Sequence, residues 1–226
     1  IYGALVNLAN KEILIEKQGN FGNMYTGDGA SAPRYIECRL RPLTKDILYN
    51  PEITRYVPSY DGRGKEPVVF RAKLPLALIM GAEGIAVGMS TKILPHNIKD
   101  VIEAEKAYLS GKDFKIYPDF PTGGIIDVSN YNDGNGKIIG RAKLDTSDPK
   151  RIVITELPPG TNTESLTQSI EQATKSGKLK ISSINDYTTN KVEIEIKLQR
   201  GVYAEDVIDA LYAYTDCEMA ISCNLL

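Results

Sequence analysis

The last third of the chain constrains the fold most, because strand and helix patterns alternate there in a fixed order. Apolar side chains occupy every second position from residue 192 to residue 198, with a charged residue at each position between them, which is typical of a half-buried strand. Further strands are predicted at 152–157, 181–186 and 219–223, and helices after a cap at Thr161 and Glu164 and at 204–214. The order βαββαβ predicts a ferredoxin-like unit within an α+β fold.

Residues 28–40, DGASAPRYIECRL, join a loop of small residues to a short alternating run. The run predicts a brief strand with one buried face. The side chains predicted to be buried are Ile36, Cys38 and Leu40.

Tyr35 stands where the loop meets the strand, beside Arg34. A phenol, with a reference pKa of about 10, is a poor nucleophile near neutral pH. An adjacent cation favours the phenolate and stabilises charge on a phosphate under attack. By residue type alone, a structural tyrosine is the more common case.

Two stretches that contain glycine are typical of close backbone contacts. Gly19 and Gly22 flank a turn and permit a positive φ, which lets the backbone approach a phosphate. Residues 81–89 alternate glycine with apolar residues, and Ile85 is their bulkiest aliphatic side chain. A tight packing element without any ligand would show the same pattern in both places.

The middle of the chain carries local signals of secondary structure. Pro42 in a first turn predicts a helix at 42–48. Residues 68–70 and 72–79 are predicted to be extended and buried. His96 is the single histidine; one imidazole without cysteines or carboxylates at ligand spacing predicts no metal site, so we interpret it as structural.

The net charge of −2 hides an asymmetry between the two parts of the sequence. Residues 1–99 hold 13 Lys/Arg against 9 Asp/Glu, whereas residues 100–226 hold 14 against 20. A solvated surface of mixed charge explains this balance, and so does a basic groove that follows a phosphate backbone. The basic side chains of the first part include Arg34, Arg39, Arg41, Lys45, Arg55, Arg63, Lys65, Arg71, Lys73 and Lys92.

Five short motifs occur in a fixed order along the first hundred residues. They are QGNFG at 18–22, SAPRYIE at 31–37, YDGRGKEPVVF at 60–70, EGIAVGMST at 83–91 and PHN at 95–97. In this order and with about this spacing, the set resembles the breakage-reunion subunit of type IIA DNA topoisomerases, which is the A subunit of DNA gyrase or of topoisomerase IV. Each motif alone is weak, whereas the combination is highly specific.

The resemblance implies a domain organisation and a chemistry. Residues 1–60 would be the C-terminal part of a winged-helix DNA-binding domain that carries the catalytic tyrosine, and residues 61–226 a mixed α/β domain like the family's tower. Tyr35 would attack a DNA phosphate and form a 5′-phosphotyrosyl link, and Arg34 would stabilise the phosphate in the transition state. Ile85 would wedge between base pairs and bend the DNA.

The resemblance also implies DNA contacts beyond the catalytic pair. The residues expected to make them are Arg39, Arg41, Lys45, Ile85, Lys92, Gly19 and Asn20. Two positions depart from the family pattern. Gly3 stands where the family has an acidic residue that matters for quinolone drugs, and Lys17 stands where glycine is common.

The resemblance implies three partners. They are double-stranded DNA, a B subunit and a second copy of the full-length protein. Mg²⁺ would be held by carboxylates of that B subunit. The chain itself shows no paired-carboxylate cluster of that kind. ATP would also bind to the B subunit, and no P-loop occurs in this chain.

No run approaches eighteen apolar residues, and no leader is visible. Three widely spaced cysteines suit a reducing cytosol. The sequence therefore predicts a cytoplasmic, nucleoid-associated protein without a membrane segment.

Two other interpretations stay open. The chain begins as if a helix were entered midway, so it is expected to be a piece of a longer protein, and such a piece could bind DNA without cleaving it. Without the motifs, a further interpretation would be a ferredoxin-like protein that senses a small ligand. The sequence does not decide between gyrase and topoisomerase IV.

Overall fold

The computed structural model describes residues 1–226 and separates into two units, each with its own buried side chains. Unit 1 comprises Ile1–Gly22, Gly29–Gly81 and Pro95–Ile116. Unit 2 comprises Asn23–Asp28, Ala82–Leu94 and Tyr117–Leu226. Every strand pair is antiparallel, so helices combine with small antiparallel sheets and the predicted α+β class is confirmed. The functional boundary at residue 60 stays a prediction.

Unit 1 is built from helices and two short antiparallel ribbons. Its elements are α1 (Tyr2–Asn10), β1 (Ile15–Gln18), β2 (Glu37–Leu40), α2 (Pro42–Leu48), β3 (Tyr56–Pro58), β4 (Lys65–Pro67), α3 (Leu76–Met80) and α4 (Ile98–Leu109). Strand β1 pairs with β2, and β3 pairs with β4. Short 3-10 turns lie at Pro33–Tyr35 and Pro51–Ile53.

A small apolar core holds the first ribbon against α1 and α2. Its buried members are Ala9, Leu14, Ile15, Phe21 and Ile47. Helix α2 begins with Pro42, which suits a first position because its missing N–H would have no helical partner there. The buried hydroxyl of Thr44 donates a hydrogen bond to the Leu14 carbonyl at 2.5 Å, and this contact fixes α2 beside β1.

The start of α4 lies inside the same unit. The Asn97 side chain caps the helix by accepting a hydrogen bond from the Lys99 N–H at 3.0 Å, which satisfies one of the orphan N–H groups of a helix start. His96 is buried, and its Nδ1 lies 3.0 Å from the Leu78 carbonyl oxygen. The histidine therefore takes part in the packing of unit 1.

Unit 2 contains most of the strands. Its elements are β5 (Ala82–Ala86), β6 (Met89–Ile93), β7 (Ile125–Asp127), β8 (Lys137–Arg141), β9 (Lys143–Asp145), β10 (Arg151–Glu156), α5 (Thr163–Lys175), β11 (Ile181–Asp186), β12 (Ile194–Leu198), α6 (Ile208–Tyr214) and β13 (Glu218–Ser222), with 3-10 turns at Asn132–Gly134 and Ala204–Asp206. The sheets have the strand orders β11-β12-β10-β9, β13-β8-β7 and β5-β6. None of the helices in the chain is both long and apolar enough to cross a bilayer.

The main core of unit 2 lies between α5, α6 and the four-stranded sheet. It includes Ile152, Ile154, Leu157, Leu166, Ile170, Ile194, Ile196 and Leu211, all fully buried. Helix α5 starts at a capping box in which Asn162 and Ser165 exchange hydrogen bonds of 2.8 and 3.2 Å. The predicted cap at Thr161 and Glu164 is therefore displaced by one residue.

The predicted ferredoxin-like unit does not close into one sheet. Its last strand, β13, pairs with β8 over five residues instead of joining β10. The edge of β10 is already taken by β9, through pairs such as Ile154 with Leu144. Because the edge of a strand can pair with only one neighbouring strand, β13 pairs in the second sheet instead. Just before β13, the Cys217 carbonyl accepts a hydrogen bond from the Ala142 N–H at 2.8 Å.

Two predicted burial patterns are wrong in unit 1. All four residues of β2 are exposed, including Cys38 and Leu40, because the β1–β2 ribbon has only two strands. Val68, Val69 and Phe70 are about half exposed, and the stretch predicted to be extended after them contains α3. The alternating sequence pattern therefore predicts on which side of a strand each side chain lies, but not whether other residues cover that side.

We expect Ile154→Ala to lower the free energy of unfolding by about 2–5 kcal/mol, because it leaves a cavity in a fully buried position. Urea unfolding followed by circular dichroism measures this change. Ile125→Ala is the matched control, since Ile125 lies in the same unit and is half exposed. Equal midpoints for the two variants would contradict the burial of Ile154.

Candidate functional site

Tyr35 presents its side chain to solvent from a fixed backbone. It is the last residue of the 3-10 turn Pro33–Tyr35, and its N–H donates to the Ala32 carbonyl at 2.9 Å. The next residue, Ile36, is extended and packs against the core of unit 1. The tyrosine side chain itself is 66% exposed. A bulky substrate therefore has access to the phenol, while the main chain that carries it is held on one side.

Arg34 lies against the ring of its neighbour. Its guanidinium carbon is 4.6 Å from the centroid of the Tyr35 ring, within the range of a cation–π contact, and such contacts are worth about 0.5–1 kcal/mol at exposed sites. Both side chains are exposed. The predicted pair is thus brought together, with a positive charge beside the phenol.

The turn that contains Gly19 supports the tyrosine loop by direct backbone contact. Gly19 has a φ of +96°, and a Cβ at this position would lie 3.0 Å from the Tyr35 carbonyl oxygen and 3.1 Å from Ile36 Cγ2. Only glycine accepts this conformation without strain. Gly19 is exposed, and its predicted contact with DNA stays a prediction beside this packing role.

Two hydrogen bonds tie the loop ahead of Tyr35 to the same unit. The Ser31 N–H donates to the Asn20 carbonyl at 3.0 Å, and the Tyr2 hydroxyl donates to the Ser31 carbonyl. The side-chain oxygen of Asn20 accepts from the Gly22 N–H at 2.8 Å. Sequence reasoning missed Tyr2 and Ser31, because no local pattern links residues 29 positions apart.

Arg39 forms a two-point ion pair across the β1–β2 ribbon. It lies opposite Glu16, with Nε–Oε2 and Nη2–Oε1 distances of 2.8 Å each. The Arg39 hydrogen bond holds the pKa of Glu16 below its usual range, and the Glu16 carboxylate raises the pKa of Arg39. Of the predicted phosphate contacts, Arg39 is therefore already engaged with a carboxylate of its own ribbon.

Arg41 and Lys45 lie at α2, immediately after β2. The Arg41 N–H donates to the Leu14 carbonyl at 3.0 Å, so its backbone is fixed while its side chain is half buried. Lys45 is exposed on the helix. Both cations belong to unit 1, together with Tyr35 and Arg34.

The remaining two predicted residues, Ile85 and Lys92, belong to unit 2. They lie in the β5–β6 hairpin, where Glu83 is opposite Lys92 and their charged atoms are 4.0 Å apart. Ile85 is 87% exposed, and Val87, at the two-residue turn, is fully exposed. Val87 was not assigned a role from the sequence.

The C-terminal Asn224 anchors this hairpin within unit 2. Its backbone exchanges hydrogen bonds of 2.8 and 3.1 Å with Lys92, and its side-chain amide donates to the Ser90 carbonyl at 2.5 Å. The base of the hairpin is therefore tied down, whereas the apolar side chains at its tip are presented to solvent.

The chain does not bring three or more His, Cys, Asp or Glu side chains close enough together to hold a metal ion. Near the tyrosine, Glu37 is exposed on β2, and Glu16 is already paired with Arg39. These carboxylates do not form a metal-binding set.

Comparison with known proteins gives one consistent answer. The family model for the A subunit of DNA gyrase/topoisomerase IV matches residues 1–226. The chain is 61% identical over its whole length to the A subunit of DNA topoisomerase 4 from Borreliella burgdorferi, covering 36% of that protein. It is 35% identical over its whole length to the A subunit of a chloroplastic/mitochondrial DNA gyrase from Arabidopsis thaliana. It is also 34% identical, over 96% of its length, to the A subunit of DNA gyrase from Brachyspira hyodysenteriae. It spans 27% and 29% of these two relatives, so the chain corresponds to about a third of the proteins that it matches.

We expect Arg39→Gln to raise the pKa of Glu16 toward its ordinary value, because the hydrogen bond from Arg39 is the main cause of its depression. A carboxyl with a lower pKa in the folded state stabilises that state above the unfolded pKa, and this contribution is lost as the pH falls through the folded pKa. NMR titration of the Glu16 carboxyl carbon measures the shift. Arg63→Gln, at a cation that neighbours Asp61 instead, should leave Glu16 unchanged, and an identical Glu16 titration in Arg39→Gln would contradict the pairing.

Proposed function

The chain belongs to the family of DNA gyrase and topoisomerase IV A subunits, and from this we propose that it carries the DNA-cleaving tyrosine of a type IIA DNA topoisomerase. The observation that carries the proposal is the exposed Tyr35 side chain, with Arg34 stacked on its ring and its backbone supported by Gly19. The 61% identity to a topoisomerase 4 relative, against 34–37% to the gyrase relatives, favours topoisomerase IV over gyrase.

The proposed reaction is a reversible transesterification. The Tyr35 oxygen attacks a DNA phosphorus atom and forms a 5′-phosphotyrosyl ester, while the 3′ oxygen leaves and takes up a proton in place of the one the phenol loses. A phenol with a reference pKa of about 10 is a tolerable leaving group, so the 3′ hydroxyl can reverse the step without outside energy. Arg34 would stabilise the negative charge that grows on the phosphate.

The surrounding cations would position the DNA. Arg41 and Lys45 follow the tyrosine strand directly and are suited to phosphate contacts. Arg39 would contribute only if its ion pair with Glu16 opened or if a phosphate joined the pair. In the other unit, Lys92 would contact the backbone, and Ile85 would enter an opened base step from the hairpin tip.

The complete activity would require partners beyond this chain. A B subunit would hold Mg²⁺ through its own carboxylates and would bind ATP, and a second copy of the full-length protein would cleave the other strand. In this arrangement the first part of the chain would act as winged-helix DNA-binding domain and the remainder as tower, and the complex would act on chromosomal DNA in the cytoplasm.

A second candidate function is DNA binding without cleavage by residues 1–226 alone. The partial coverage of the relatives, 36% for the topoisomerase 4 protein, favours it for the isolated chain. The two candidates are separated by mixing a B subunit either with the isolated chain or with the full-length protein, since only the full-length protein would form covalent adducts.

We expect Tyr35→Phe in the full-length protein, assembled with its B subunit, to abolish covalent DNA adducts, because it removes only the attacking oxygen. DNA binding should change little, since the ring and Arg34 remain. Adducts are counted by denaturing electrophoresis of labelled DNA. Tyr60→Phe is the matched control, at a second exposed tyrosine of unit 1. Adducts that persist in Tyr35→Phe would disprove the assignment.

We expect Ile85→Ala to reduce DNA bending without loss of stability, because the side chain is exposed before DNA arrives. Filling an opened base step repays an unstacking cost of about a few kcal/mol, and alanine is too small to do so. Energy transfer between dyes at the two DNA ends reports the bend, and thermal unfolding reports stability. Ile125→Ala serves as control. A large fall in melting temperature with normal bending would assign Ile85 to the core instead.

A further inference from the structure

Helix α1 contacts two backbone stretches of the candidate site through polar side chains at its two ends, and all of these residues belong to unit 1. We propose that Tyr2, the first residue of α1, is a positioning residue for the nucleophile Tyr35. Its hydroxyl acts through the backbone of Ser31 and takes no part in the chemistry itself. The proposal rests on the function proposed for Tyr35, and it adds a residue from a separate helix to the placement of the phenol.

Ser31 is held at both of its backbone polar groups. Its N–H donates to the Asn20 carbonyl at 3.0 Å, and its carbonyl accepts a hydrogen bond from the Tyr2 hydroxyl. The two bonds belong to the successive planar peptide groups on either side of the Ser31 Cα, so together they restrict both backbone dihedral angles of this residue. With only the first bond, the peptide group that leads toward Tyr35 could turn.

A short and stiff stretch separates this anchor from the phenol. Only three residues lie between Ser31 and Tyr35, namely Ala32, Pro33 and Arg34. The proline ring fixes its own φ at about −65°, and the Tyr35 N–H donates to the Ala32 carbonyl at 2.9 Å. Because the turn has little internal freedom, a shift of Ser31 is passed on to the main chain of the tyrosine.

Different contacts hold the chain after the nucleophile. Ile36 packs against the core of unit 1, and Gly19 lies close to the Tyr35 carbonyl oxygen. Neither contact involves Tyr2. Loss of the Tyr2 hydroxyl therefore loosens the entry to the tyrosine loop while the exit stays in place, and it displaces the phenol in a protein that is otherwise folded.

Helix α1 is suited to this role because it is itself fixed. Ala9, near its end, is fully buried in the core of unit 1. Asn10, its last residue, donates from Nδ2 to the Phe21 carbonyl at 2.9 Å, in the turn that also supplies the Asn20 carbonyl. Residues eight apart lie on nearly the same face of a helix, so Tyr2 and Asn10 approach the loop and its supporting turn from one side.

The test compares Tyr2→Phe, which removes only the hydroxyl, with two control variants, all made in the full-length protein. Ser31→Ala changes a side chain and keeps the backbone carbonyl that accepts the bond. Tyr60→Phe removes the hydroxyl of an exposed tyrosine in the same unit. Hydrogen exchange by mass spectrometry follows residues 29–36 and, as a reference within unit 1, helix α2.

In Tyr2→Phe we expect residues 29–36 to exchange about 3–10-fold faster, as for the loss of one hydrogen bond, while α2 stays protected. The rate of adduct formation with the B subunit at saturating DNA should fall by about 10-fold, less than the roughly 100-fold that a displacement of 1 Å can cost. The DNA concentration that gives half of the maximal rate should not change, because the hydroxyl binds a backbone carbonyl and not DNA. Both control variants should match the unaltered protein.

Three results would overturn the role of Tyr2. Unaltered exchange of residues 29–36 would show that the hydroxyl does not restrain the loop, and an unaltered adduct rate despite faster exchange would show that the restraint does not position the nucleophile. Loss of protection in α2 together with weaker DNA binding would show a merely structural role. The exchange results do not depend on which residue attacks DNA. Failure of the Tyr35 assignment would be seen separately, as adducts that survive Tyr35→Phe.

Discussion

The contact between Gly19 and the Tyr35 carbonyl is the constraint on which the candidate site depends. A Cβ at Gly19 would lie only 3.0 Å from the Tyr35 carbonyl oxygen, so the absence of a side chain at this position lets the two stretches of backbone lie close together. The Ser31–Asn20 hydrogen bond and the bond from the Tyr2 hydroxyl act on the same loop. An exposed nucleophile on a supported backbone combines access for a large substrate with a defined position, and enzymes need both.

Membership of the candidate residues in two units is the second organising feature. Unit 1 carries the phenol, Arg34 and the cations of α2, whereas unit 2 carries the apolar hairpin tip. Each unit has its own core, so each group of functional side chains is held by local packing. The chain passes from one unit to the other five times, after residues 22, 28, 81, 94 and 116.

Electrostatics divides the basic residues into two kinds. Arg39 is satisfied by Glu16 through two hydrogen bonds, and such bidentate pairs are geometrically specific. Arg34 stacks on an aromatic ring, and Lys45 lies on an exposed helix surface, so these two keep donors that can reach a ligand. A count of basic residues along the sequence treats all of them alike, and the structure shows that they differ in what they can still bind.

Local patterns determined much of this protein from the sequence by itself. Pro42 in a first turn predicted α2 at its observed bounds, and the strand at 181–186 was predicted at its observed bounds as well. The five motifs in their fixed order indicated the family that the comparisons then showed. The tertiary structure alone decided that β13 pairs with β8, that Cys38 is exposed, and that Gly19 lies behind Tyr35. The physical reason is the distance along the sequence over which each kind of interaction acts. Helix and strand periods are set by neighbours a few residues away, whereas burial, strand partners and backbone contacts depend on residues that only folding brings together.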